Sequence, residues 1–246
     1  MTAFAAIVAY FNPANLNAAA PFLALWCVSP FFAQLISLPP PSAESEPAST
    51  ADALSLRLAG RRIWRFFTTF VDEQNHALPP DNFQEDPYPV IAHRSSPTNF
   101  GLYLLSTISA RDFGWIGLTE MVERLEATLD TMQALPRFRG HFFNWYDTHT
   151  LDPLNPQYIS SVDSGNLAGH LLALASACQE MTRTPIFTAM HLAGIRDSVW
   201  LLREAIQAER DDRRTLTVNP SQLREGLDDF DQWLIDEPAN VANWST

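Results

Sequence analysis

Apolar and polar positions alternate differently in two parts of the chain. Residues 4–10 are apolar, Asn12-Pro13-Ala14-Asn15-Leu16-Asn17 reads as a polar turn, and residues 21–38 form an uncharged run closed by Pro39, Pro40 and Pro41. At the helical rise the second run spans roughly 27 Å, close to the hydrocarbon thickness of a bilayer. The pattern predicts one transmembrane helix near residues 18–38, with the shorter run before it as the end of an earlier helix. Trp26 and Pro30 are tolerated in such a helix. A buried core helix or a re-entrant segment is the competing reading. A secretory signal is disfavoured because the start carries no basic residue.

After the apolar part the spacing becomes helical. Leu56, Ala59, Ile63, Phe66, Phe67 and Phe70 recur as one helical stripe. Thr98 is the expected cap of a second helix running to about Arg111. Thr119 lies near the start of a third, with Met121, Val122, Leu125, Leu129 and Met132 on one face. Ser164 is the expected cap of a fourth over residues 165–181, and Thr184-Pro185 opens a fifth that ends near Glu209. Leu223, Leu227, Phe230 and Leu234 mark a sixth. No strand alternation is visible, so the expected class is all-α. The division is a membrane segment over residues 1–41, a Ser/Pro/Ala-rich acidic linker over 42–53 and a helical domain over 54–246.

The second and fourth helices are poor in charge and carry small residues: Gly101, Ser106 and Ser109 in one, Gly165, Ala168, Gly169 and Ala173 in the other. They are expected to pack on both sides. Alternating outer and inner helices suit part of an α/α toroid, and an ordinary helical bundle equally.

Two connections are longer than the two to eight residues or so usual between bundled helices: residues 78–97 and 136–163. Both lead into the N-termini of the proposed inner helices, which puts them at one end of the domain. They concentrate planar polar groups and aromatics. Asp81, Asn82, Gln84, Glu85, Asp86, His93 and Arg94 stand in the first, and Asn144, Trp145, Tyr146, Asp147 and Asp163 in the second, with Asn166 just beyond. Aromatic rings cover the C–H face of a pyranose, and carboxylates, amides and guanidinium groups satisfy its hydroxyls. These thirteen are the candidate carbohydrate-binding residues. An acid/base pair for glycosyl transfer is conceivable among Asp81, Glu85, Asp86, Asp147, Asp152 and Asp163, but spacing assigns none. His141, Asp147 and His149 match no strong metal pattern, so no metal is expected.

Charge narrows the partners. The formal net charge is -12, there is no lysine, and no charged residue precedes Glu44. Such a chain is a poor match for nucleic acid. Arg57, Arg61, Arg62 and Arg65, C-terminal to the apolar run, favour the cytoplasmic side for the helical domain. Cys27 and Cys178 are expected to be small buried residues and not a disulfide.

The stretches RRIWRFFTTFV, LPPDNFQEDPYPVIAHRSSPTNFGLYLLS, ARDFGWIG, RFRGHFFNWYDT and SSVDSGNLAGHLLAL together resemble the cyclic β-1,2-glucan synthase family over residues 59–178. The run FNPANLNAAAPFLALWCVSP resembles the last membrane segment before that region. The resemblance implies a bacterial inner-membrane protein whose active domains face the cytoplasm. It also implies a UDP-glucose donor used elsewhere in the polypeptide, and a helical (α/α)6 toroid that cyclises the glucan by transglycosylation. Glucosyltransferase and phosphorylase-like regions of that family are missing from this sequence, and the family's cyclisation carboxylates are expected beyond residue 246. No catalytic residue is therefore carried over and no cofactor is expected within the chain. The partners implied are an oligosaccharide, the lipid bilayer and the remainder of the synthase. A hydrolase or phosphorylase of the same architecture, or a non-enzymatic sugar-binding module, are the alternatives.

Overall fold

A computed structural model describes residues 16–38, 49–208 and 220–236. Two compact units divide the chain, Met1–Ser49 and Thr50–Thr246. The apolar run at 4–10, the three prolines and the arginine-rich stretch after residue 208 lie outside the described residues.

In the first unit α1 spans Leu16–Ser37, with Pro21 and Pro30 inside it. Leu16 and Asn17, read as part of a turn, belong to the helix. Its window Asn17–Ser37 is long and apolar enough to cross a membrane, and none of it is buried. Phe22, Phe31 and Ile36 stand well exposed.

The second unit opens with α2, Thr50–Phe70. The expected linker is therefore already helical in its last four residues. The helices α3 (Pro97–Asp112), α4 (Leu118–Ala134), α5 (Ser161–Met181), α6 (Ala189–Ala208) and α7 (Pro220–Asp236) come next along the chain. All six expected helices are present, with corrected starts. Ser96, not Thr98, caps α3: its side chain accepts from Asn99 N–H, and Pro97 occupies the first turn where no N–H is needed. Ser160, not Ser164, caps α5 by accepting from Asp163 N–H, because Asp163 three residues on completes the spacing of a capping box. The start of α6 slips from 185 to 189. Thr188 N–H donates to His191 Nδ1 there, a side-chain partner that Thr184-Pro185 lacks.

The core is centred on α3. Phe100, Tyr103, Leu104 and Ile108 are buried among Trp64 of α2, Met121, Leu125 and Met132 of α4, and Leu167 and Leu174 of α5. Trp64 and Tyr103 stack with centroids 6.5 Å apart. The stripe expected on α2 is only partly inward. Leu56 and Ile63 are 70% and 67% exposed, while Leu58 and Trp64 are buried and Arg57 and Arg61 face inward with them. The helix is rotated because Asp197 of α6 is buried and takes Arg57 Nε and Nη2 at 3.1 and 2.7 Å. Asp197 also accepts from Trp115 Nε1 at 2.8 Å. Gly194 of α6 rests on the backbone of Gly114, where φ is +76° and a Cβ on either residue would collide. The α6–α7 pair is thus docked on α2 and on the turn after α3.

Of the two helices expected to pack on both sides, α3 does so. In α5 the small residues Gly165, Ala168, Gly169 and Ala173 are all exposed. Cys27 and Cys178 are free and exposed, not buried as expected.

The absence of strand alternation conceals three two-residue antiparallel ladders inside the loops, too short for a period to register in sequence. β1 (Phe83–Gln84) pairs with β2 (Val90–Ile91), and β4 (Arg137–Phe138) with β5 (His141–Phe142). β3 (Arg94–Ser95) pairs with β6 (Tyr146–Asp147), Arg94 opposite Asp147 and Ser95 opposite Tyr146. This last ladder ties one long loop to the other.

Candidate functional site

Both long loops are pinned from below. Asn75, buried after the end of α2, donates through Nδ2 to Asp72 and Phe70 O, and its Oδ1 accepts from Thr148 Oγ1 at 2.6 Å and His93 Nδ1 at 3.0 Å. His76 and Ala77 have φ of 51° and 56°, a region costly for residues with a Cβ. Their carbonyls accept from Thr131 and Thr128 of α4 at 2.7 and 2.8 Å, which holds the turn in place. Leu78, Pro79 and Pro80 come next, fully buried.

On this base a continuous polar chain crosses between the loops. Asn82 Nδ2 donates to Asp81 Oδ2 at 3.1 Å, and Arg94 donates to the same oxygen through Nε and Nη2 at 3.2 and 2.9 Å. The Arg94 guanidinium lies over the Trp145 ring, 4.6 Å from its centroid. With the Asn144 amide assigned the orientation that satisfies its neighbours, Trp145 Nε1 and the Tyr158 hydroxyl each donate to its Oδ1 at 2.7 Å, and its Nδ2 donates to Asp163 Oδ2 at 2.9 Å. The other Asp163 oxygen accepts from Thr98 Oγ1 at 2.7 Å, and Thr98 Oγ1 accepts from Asn166 Nδ2 at 3.2 Å. Because Ser96 and Ser160 do the capping, Thr98 and Asp163 are released to join the N-terminal turns of α3 and α5 to each other. Those two helices are parallel: their first turns meet here, and Arg111, Asp112, Glu180 and Met181 at their far ends line one shared cavity of about 370 Å³.

The electrostatics favour holding over proton transfer. Burial pushes the Asp163 carboxyl up, but hydrogen bonds from Ser160, Thr98, Ser96 and its own N–H together bring it below the ordinary carboxylate value. It is therefore ionised and acceptor-only at neutral pH. Asp81 is paired with a guanidinium. A charged, well-bonded carboxylate is poised to accept from hydroxyls and badly placed to deliver a proton.

Seven of the thirteen sequence candidates meet in this chain: Asp81, Asn82, Arg94, Asn144, Trp145, Asp163 and Asn166. The other six are placed elsewhere. Tyr146 is fully buried; its hydroxyl accepts from Phe143 N–H and donates to Pro136 O, so it anchors the loop. His93 spends Nδ1 on Asn75 and its ring packs on His149 at 4.1 Å. Asp147 Oδ1 accepts from His149 and Thr150 N–H, closing its own turn. Gln84, Glu85 and Asp86 are exposed on the β1–β2 hairpin, and Glu85 lines a different cavity beside Phe66 and Phe70 of α2. Among the described residues no group of three or more His, Cys, Asp and Glu could hold a metal ion. Thr98 and Tyr158 were missed in sequence. Thr98 reads as a cap, and Tyr158 lies fourteen positions from the amide it bonds.

No protein-family model matches the chain. Among curated proteins, the cyclic beta-(1,2)-glucan synthase NdvB of Rhizobium meliloti (strain 1021) is 47% identical over 197 residues, 80% of this chain and 7% of that protein. Among solved structures, a crystal structure assigned as a glucoamylase from Bacteroides fragilis NCTC 9343 is 22% identical, with a TM-score of 0.43, covering 55% of this chain and 32% of the other. The chain spans a small part of its relative's length, and over that part it belongs to the cyclic β-(1,2)-glucan synthase family.

Proposed function

We propose that this chain supplies a membrane anchor and one wall of a sugar-binding cleft to a membrane-bound cyclic β-1,2-glucan synthase. In this reading the glucan lies across the N-terminal ends of α3 and α5, over Trp145. Asp81, Asn82, Arg94, Asp163 and Asn166 meet its hydroxyls, and the buried Asn144 holds Trp145 and Asp163 in place. UDP-glucose is consumed elsewhere in the polypeptide, and the chain contributes no cofactor site. The helical unit is part of an (α/α)6 toroid in which α3 and α5 are inner and α2 and α4 outer. The parallel run of α3 and α5, packed directly on each other and joined through α4 in chain order, supports that arrangement. The anchor α1 sits in a bacterial inner membrane, and the helical unit faces the cytoplasm, as the arginines of α2 favour.

The carrying observation is the unbroken Asp81–Arg94–Trp145–Asn144–Asp163 chain across two loops. An aromatic face set among acceptors and donors of fixed orientation is the chemistry a pyranose needs. Similarity to a glucan synthase supports the substrate class.

The test is titration of the full chain, in detergent, with linear β-1,2-glucan oligosaccharides, read by calorimetry. Saturable binding lost in Trp145→Ala supports the cleft; unchanged binding in that variant sinks it. In an intact synthase, the same substitution should lower the yield of cyclic product. Glucose 1-phosphate or short linear sugars as the main products would instead favour a phosphorylase or a hydrolase.

A further inference from the structure

The two outer helices α2 and α4 present opposite faces to their surroundings. On α4 the outward residues include Glu123, Glu126 and Asp130, all exposed. Those are ordinary solvated positions. On α2 the outward face carries Leu56 at 70% exposure and Ile63 at 67%, with Ala59 exposed between them. Phe66 and Phe70 continue the band half-buried, their rings 5.2 Å apart, and Phe70 meets Phe83 at 4.9 Å. Arg65 and Arg62, the latter paired with Glu204 of α6, border it, and together with Phe66, Phe70, Phe83 and Glu85 they line an open cavity of about 520 Å³. Of the four arginines of α2, Arg57 and Arg61 face inward, and Arg62 and Arg65 lie on the outward side. An apolar helical band edged by arginines is the composition of a helix that lies in a membrane interface.

Tethering favours the same partner. The dozen residues between Ser37, the end of α1, and Thr50, the start of α2, reach at most roughly 40 Å even when fully extended. With α1 in a bilayer, the N-terminus of α2 stays within that reach of the headgroups.

We propose that the outer face of α2, with Leu56, Ile63 and Phe66 as the apolar contact and Arg62 and Arg65 as the charged rim, docks on the anionic phospholipid surface of the membrane. This rests on α1 being a membrane anchor, and the test separates the two claims.

The full chain is reconstituted in vesicles of phosphatidylcholine alone or with phosphatidylglycerol, each containing brominated lipid. A fluorophore sits on native Cys27 in a Cys178→Ala background, or on Ile63→Cys or Val122→Cys in a Cys27→Ala, Cys178→Ala background. Lipid quenching at Cys27 reports the anchor. Quenching at Ile63→Cys well above that at Val122→Cys on α4, stronger with phosphatidylglycerol and weakened by salt, is the expected result. Arg65→Glu should lower the docked-to-undocked ratio about fivefold or more. Quenching at Cys27 but not at Ile63→Cys overturns the docking while leaving the anchor intact. Protection of Ile63→Cys from both lipid-borne and aqueous quenchers also overturns it, because protein would then cover that face. Quenching at neither site overturns docking and anchor together.

Discussion

Gly101 of α3 faces His170 of α5 so closely that a Cβ at 101 would stand 2.1 Å from the ring's Nδ1 and 2.8 Å from the His170 Cβ. The contact sits one turn above the Thr98–Asp163 bond and sets how near the two parallel helices come. Only a residue without a side chain allows the approach.

Gly101→Ala should therefore destabilise the helical unit. Alanine gains up to ~1 kcal/mol of helix propensity, but overpacking costs about 1–3 kcal/mol, and the base of the His170 side chain has little room to yield. The net loss should appear as a lower urea midpoint for the full chain in detergent. Adding His170→Ala should recover part of it, since the clash then disappears. Additive losses would show that the two residues do not couple.

Asp197→Ala removes the acceptor of both Arg57 and Trp115. Asp197 is 3% exposed and Arg57 19% exposed at the side chain, so a largely buried guanidinium is left unpaired. The loss should fall toward the lower end of the roughly 3–5 kcal/mol typical of breaking a buried pair, because Arg57 keeps some solvent and its bond to Phe113 O. Amide hydrogen exchange that speeds up in α2 and α6 more than in α3 checks that the α2–α6 junction is where the loss occurs.

Acid sensitivity should trace partly to Asp163. Its folded pKa lies below the ordinary value, so its bonds stabilise the fold above about pH 4, and that contribution is lost as pH falls through the folded pKa. Asp163→Asn should cost about 1 kcal/mol at neutral pH, the scale of one net hydrogen bond, with the gap to wild type closing under acid. Denaturation curves at pH 7 and at a pH below about 4 provide the comparison. An undiminished gap in acid would contradict the assignment.

Tyr146→Phe and Trp145→Ala should separate stability from recognition although the residues are neighbours. The first leaves Pro136 O and Phe143 N–H without the hydroxyl they share, at a cost of about 1–3 kcal/mol, and should leave glucan affinity unchanged. The second should weaken glucan binding with a smaller effect on the melt, because Trp145 is half-buried.

Much of this was legible in the residues. Period-3.6 stripes located three of the six helices after the apolar run, and cap and proline signals the other three, since both kinds of signal are local. The length and aromatic content of the two loops marked where the candidate site lies. The contiguous motifs carried the family. The inward face of α2 was not legible. Leu56 and Ile63 satisfy the spacing of a core stripe, and only Asp197, 140 positions from Arg57, turned the helix so that arginines face in and those two face out. Selection among the loop residues also required the fold. Trp145 and Tyr146 are adjacent aromatics, yet the ladder of Ser95 with Tyr146 sends one side chain into the core and leaves the other under Arg94, because successive residues of a strand point to opposite faces. Local sequence determined which segments are helices, where their ends lie to within a few residues, and which loops carry polar and aromatic groups. The tertiary structure alone decided which of those groups meet, because hydrogen bonds such as Asn144 to Asp163 depend on the register of two distant loops and the close approach of α3 and α5 at Gly101.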